Sequence, residues 1–140
     1  MKIFYLFVLF LLMTAAAVAQ NSWKICLDKK VLLATSVENE EKNLVKVKTA
    51  VLKKYKSLIV QYKQADEVKD WERTITIYNE EDAVLKSLKG SQFKITIGTL
   101  QQLFKKSKTL EIYTWALPKD PKLAATVRVR RVHLGTLVLE

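Results

Sequence analysis

The chain carries one imidazole, His133, and one thiol, Cys26. Nucleophilic catalysis by a Ser-His or Cys-His pair would have to run through His133. That residue sits in Val132-His133-Leu134-Gly135, with no acidic neighbour in sequence to orient its ring. No Gly-x-Ser-x-Gly elbow and no phosphate-cradling Gly-rich loop occurs. One His and one Cys do not make a His/Cys zinc site, and a blue-copper site needs two His, a Cys and usually a Met. Paired carboxylates can hydrolyse glycosides, but the five Asp and nine Glu fall mostly in charged turns such as Glu38–Glu41 and Glu80-Glu81-Asp82. The sequence therefore points to a protein that is not an enzyme and needs no cofactor or metal.

The basic residues are the most distinctive group. Lysines and arginines number 24 against 14 acidic residues, for a net charge of +10. Arg128, Arg130 and Arg131 form the stripe best suited to bidentate recognition of an anion. His133 follows directly. Trp115, just ahead of Pro118, is placed to stack on a ligand at a sheet end. These five residues are the expected ligand-binding site. The expected partner is an anionic polymer or membrane surface, such as polysaccharide or lipid headgroups, or a protein. No helix-turn-helix, zinc finger or RNA-binding signature is present, so base-specific nucleic-acid recognition is not expected. Lysines on strands also serve a plainer purpose, since they block pairing at sheet edges.

The first 19 residues, MKIFYLFVLFLLMTAAAVA, read as an export signal. Lys2 is their only charge, an apolar run follows, and Ala17-Val18-Ala19 offers small residues for cleavage after Ala19. The segment Ile3–Ala19 is 17 residues long, at the lower limit for crossing a bilayer. Trp23-Lys24-Ile25 ahead of Cys26 lacks the small residues of a lipoprotein signal. The expectation is a signal-peptide helix over 1–19 and one domain over 20–140, secreted or periplasmic. Processing would leave 121 residues with net charge +9 and no methionine. That length can bury about two-thirds of its unfolded surface, so an exported chain with one Cys can fold without disulfides.

The elements that position the side chains follow from period-two alternation. Trp71–Tyr78 places Trp71, Arg73, Ile75 and Ile77 on one side. Phe93–Ile97 and Leu110–Trp115 alternate as well. Trp23–Leu27 and Val31–Thr35 flank Asp28-Lys29-Lys30 as a hairpin, and Thr126–Arg130 also alternates. Residues 39–64 carry both a helical stripe (Leu44, Val47, Val51, Tyr55, Leu58, Tyr62, with Asn39 as cap) and β-rich stretches.

An internal likeness favours the second reading. Val51-Leu-Lys-Lys-Tyr-Lys-Ser-Leu-Ile-Val60 resembles Leu103-Phe-Lys-Lys-Ser-Lys-Thr-Leu-Glu-Ile112, which leads into a clear strand. The expectation is a helical turn near Ala50–Lys54 feeding a strand at Leu58. Val127 and Val129 are odd-numbered while Val132 and Leu134 are even, which predicts a β-bulge at Arg130-Arg131. Leu117–Lys122, with its two prolines, reads as a turn. Seven or eight short strands with one or two helical turns suggest an all-β, antiparallel, immunoglobulin-like sandwich. The alternative roles are an envelope assembly component contributing edge strands and, more remotely, an unusual hydrolase.

Overall fold

The structure is a computed structural model that describes residues 20–66 and 69–140. The expected signal segment 1–19 lies outside the described residues. Two β-sheets pack face to face. The first has the order β2 (Lys30–Thr35), β1 (Ser22–Leu27), β4 (Ser57–Lys63), β7 (Gln92–Thr96). The second has the order β3 (Leu44–Val47), β9 (Val132–Leu139), β8 (Thr109–Pro118), β5 (Trp71–Tyr78), β6 (Val84–Lys89). Three helices complete the fold: α1 (Thr49–Leu52), α2 (Ile97–Lys106) and α3 (Pro121–Ala124). No described helix is long and apolar enough to cross a membrane.

The core lies between the sheets. Trp23, Ile25 and Leu27 of β1, and Leu58, Val60 and Tyr62 of β4, face Ile75 and Ile77 of β5 and Leu110 and Ile112 of β8. Phe93 is fully buried, and truncating it to Ala would cost about 3–5 kcal/mol. The Trp23 indole N–H donates to the Leu134 carbonyl across the core at 2.7 Å, which satisfies a polar group that burial would otherwise penalise.

Six strand pairings are antiparallel, but β3 runs parallel to β9, so the all-antiparallel expectation is corrected at that edge. The described residues hold nine strands rather than seven or eight. The helical turn and strand expected at Ala50–Lys54 and Leu58 are α1 and β4. Asn39 does cap a turn: its Oδ1 accepts from the Glu41 and Lys42 amides, but the turn is short and leads into β3, not into a long helix.

The ten-residue α2 is longer than any helix the alternation suggested. Its Ile97, Leu100, Leu103 and Phe104 form the buried stripe, and Thr96 Oγ1 accepts from the Thr99 amide as N-cap. The helix begins in a β-branched, glycine-containing stretch, Thr96-Ile97-Gly98-Thr99, which hides it from propensity.

The C-terminal third differs most. Thr126–Arg130 is not a strand, and the residues leading to β9 lack ladder partners among the described pairings. The register shift falls near Leu134: Tyr113 lies opposite His133 but Ile112 lies opposite Gly135. The phase change is real but sits three or four residues later, where Val132 and Leu134 give way to Leu137 and Leu139. Pro118 is the last paired residue of β8, opposite Trp71, so the turn starts after it. Having no N–H to contribute, it fits a strand end.

Candidate functional site

The five residues expected to bind a ligand converge on the outer face of the second sheet. Tyr113 is opposite both Thr76 and His133, and Trp115 is opposite Thr74, so these side chains share the face away from the core. Tyr78 packs edge-on to Tyr113 at 5.5 Å and tilted to Trp115 at 6.5 Å. The Arg131 guanidinium lies over both tyrosines, 4.7 Å from the Tyr78 centroid and 4.6 Å from that of Tyr113. Arg128, Arg130 and Arg131 line a shallow cleft of about 620 Å³ with Glu38, Glu40 and Tyr113.

Their charges are largely spoken for. Arg130 Nη2 donates to Glu38 Oε1 at 2.6 Å, and Arg131 Nη1 donates to Asp82 Oδ1 at 2.9 Å. The Asp82 carboxylate and the neighbouring Tyr78 hold Arg131 even more firmly protonated than usual. Glu38 uses its second oxygen to accept from the His133 amide at 2.9 Å. Burial pushes the Glu111 carboxyl upward, helped by the negative charges of Glu40 and Asp82. Burial, then Glu111, does the same to the Tyr113 phenol. Arg130 and Arg131 are thus paired with carboxylates, while Arg128 is exposed and in no ion pair among the described residues, so the stripe is partly neutralised.

His133 is 2% exposed. Its Nε2 lies 2.8 Å from Thr136 Oγ1, while Nδ1 is buried without a hydrogen-bond partner among the described residues. The Tyr113 ring packs against it at 5.2 Å. Burial lowers its pKa, against the opposing pull of Glu40 and Glu38. Of the three tryptophans only Trp23 is buried; Trp115 is half-buried, and Trp71 is 38% exposed. Cys26 is buried, and burial raises its pKa.

A different basic group gathers at one end of the molecule. Helix α1 leads from β3 in the second sheet to β4 in the first, and α2 leads from β7 in the first back to β8 in the second. Main-chain hydrogen bonds hold these crossings together. The Ile97 amide donates to the Lys56 carbonyl, Leu139 to Lys108, and Glu140 to Val47. Asp28, in the β1–β2 turn, accepts from the Lys56 and Ser57 amides at 2.9 and 3.0 Å. Lys48, Lys53, Lys54 and Lys56 around α1 therefore share an end with Lys105, Lys106 and Lys108 after α2, and all seven are exposed.

Among the described residues none of the seven is in an ion pair. The acidic Glu80-Glu81-Asp82 turn between β5 and β6 lies at the same end, since Tyr78 pairs with Glu111 near the start of β8, but on the side of the second sheet away from β3, and its Asp82 is bonded to Arg131. The signal for this cluster was present in the sequence: Lys-Lys-x-Lys occurs in both copies of the internal likeness. Only the two crossings reveal that both copies end on the same side. No protein-family model matches the chain, and no curated protein is found to be similar to it.

Proposed function

We propose that this is an exported, non-enzymatic binding protein, built as an immunoglobulin-like sandwich, that docks on an anionic polymer or headgroup surface through the end that carries α1 and α2. The observation that carries this reading is the set of seven exposed lysines without carboxylate partners among the described residues. Unneutralised like charges on one end produce a positive potential that attracts polyanions and falls off within about 10 Å at 0.1 M salt. The export grammar of residues 1–19 supports a location in the periplasm or outside the cell. A non-catalytic role is supported by the lone imidazole, which is buried and held against Thr136.

Assembly through sheet edges is less well supported. All four edge strands carry lysine: Lys30 in β2, Lys94 in β7, Lys46 in β3, and Lys86 and Lys89 in β6. Lysine on an edge disfavours addition of another strand.

The test is binding to an acidic polysaccharide and to vesicles containing anionic lipid, each at low and high salt. Binding is expected at low salt and should fall steeply as salt rises. The combined variant Lys53→Glu, Lys54→Glu, Lys105→Glu, Lys106→Glu should lose it, while Arg128→Glu with Arg130→Glu should change it little. Salt-independent binding, or binding indifferent to the lysine substitutions, overturns the reading.

A further inference from the structure

A cleft of about 1010 Å³ opens at the end opposite α1 and α2, where β4 finishes at Lys63, β5 begins at Trp71 and β8 finishes at Pro118. Its lining includes Arg73, the one arginine whose strand phase turns it inward with Ile75 and Ile77. The guanidinium lies over the Tyr62 ring, with its carbon 4.1 Å from the ring centroid. Tyr62 in turn stacks on Trp23 at 6.1 Å and 15°. Arg73 Nη1 donates to Thr114 Oγ1 at 3.1 Å, and that hydroxyl donates its own proton to the Thr74 carbonyl at 2.8 Å. The Gly90 amide donates to the Arg73 carbonyl at 2.7 Å and fixes the backbone. The arginine is thus held rigidly by an aromatic face, a hydroxyl and a main-chain clamp.

It has donors to spare. A guanidinium offers five N–H groups in a planar fork that matches a carboxylate. Among the described residues it makes one side-chain hydrogen bond and no ion pair. Burial pulls its pKa down, as expected for a cation short of counter-charge. Of the carboxylates in the cleft, Glu72 is bound to Lys89 at 2.9 Å, and Asp70 is exposed. Lys63, Lys69 and Lys119 also line the opening.

Trp71 lies two residues before Arg73 on the same side of β5 and is 38% exposed at the cleft wall. Alternate strand residues stand about 6.7 Å apart, a spacing that one sugar ring spans. We infer that this cleft binds an acidic sugar, with Arg73 receiving the carboxylate and the Trp71 indole stacking on the ring. The site is separate from the lysine end, so it stands or falls independently of the electrostatic docking proposed above.

The test is calorimetric titration with a short oligogalacturonate, with its methyl ester as the neutral counterpart on the same ring, and with acetate alone. The protein carries the four Lys→Glu changes at the helix end, so that only the cleft is read. The free acid is expected to bind, the ester about tenfold or more weakly, and acetate more weakly still, since it lacks the ring. Trp71→Ala should weaken both sugars. Arg73→Gln should weaken the acid and leave the ester unchanged, and Arg73→Lys should lie between. Binding should survive salt that abolishes attachment at the helix end, because half-buried charges are screened less.

Equal affinity for acid and ester, acetate binding as well as the oligomer, indifference to Trp71→Ala, or no binding at millimolar concentration overturns the inference. If Arg73→Gln fails to fold, the acid–ester comparison and Trp71→Ala, at an exposed position, decide the matter.

Discussion

His133 is the residue where pH acts on this fold most directly. With the proton on Nε2 facing Thr136, Nδ1 is a bare lone pair, a tolerable state for a buried nitrogen. Burial penalises the charged imidazolium, whose new N–H at Nδ1 would find no acceptor among the described residues, and that penalty outweighs the favourable charges of Glu40 and Glu38. The folded-state pKa therefore lies below the ordinary 6.5. Between the two values the unfolded chain binds more protons than the folded one, so stability rises with pH through that window. The contribution is complete above 6.5 and is lost as pH falls towards the folded value. Glu111 works in the opposite sense: its raised pKa gives stability that is present below the ordinary 4.5 and lost as pH rises through the folded value. Chemical denaturation of wild type and His133→Gln across pH 5 to 8 should show the wild type losing stability below about pH 6.5, with a flatter curve for the variant. Parallel curves would show that burial does not shift this imidazole. The sequence revealed that His133 has no acidic neighbour along the chain. Glu38, 95 residues away, reaches it only through the fold.

At the scale of elements, the bulge near Leu134 does the most to shape the second sheet. It turns Leu134 into the core, leaves His133 on the outer face, and brings Gly135 against the first sheet. A Cβ on Gly135 would stand 2.6 Å from Ile25 Cδ1, 3.2 Å from Leu33 Cδ2 and 3.3 Å from the Asn43 carbonyl. The Ile25 methyl could shift, but that side chain is itself fully buried, and the Asn43 oxygen is held by the Thr136 amide at 2.8 Å. Gly135→Ala should therefore cost about 1–3 kcal/mol in a denaturant titration, whereas an unchanged midpoint would show slack between the sheets. Strand existence was readable because alternation is a local property. Alternation places the bulge too early because Val127 and Val129 alternate without being paired: a period-two pattern marks a chain able to form a strand and does not supply its neighbour. Helix α2 was missed for the converse reason. Its four buried residues matter only once the gap between β7 and β8 exists to receive them.

At the scale of the molecule, charge is distributed unevenly. Arginine and glutamate intermix at the outer face of the second sheet, whereas lysine accumulates, without ion-pair partners among the described residues, at the end that carries α1 and α2. Like charges crowded on one end repel, and salt relieves the repulsion. The melting temperature of the wild type should rise as salt is added at low ionic strength, and this rise should be smaller in the four-fold Lys→Glu variant. Equal salt responses would show that the lysines are too far apart to feel one another.

The sequence by itself determined the dominance of strands, the surplus of positive charge and the inward phase of Arg73, because composition and periodicity act over a few neighbouring residues. Only the tertiary structure decided which arginines are neutralised, where the lysines of two distant segments meet, and that an inward arginine lies beside an exposed tryptophan in a cleft. Ion pairs, shared ends and concave surfaces are made by residues brought together through sheet pairing, and linear spacing carries no record of that pairing.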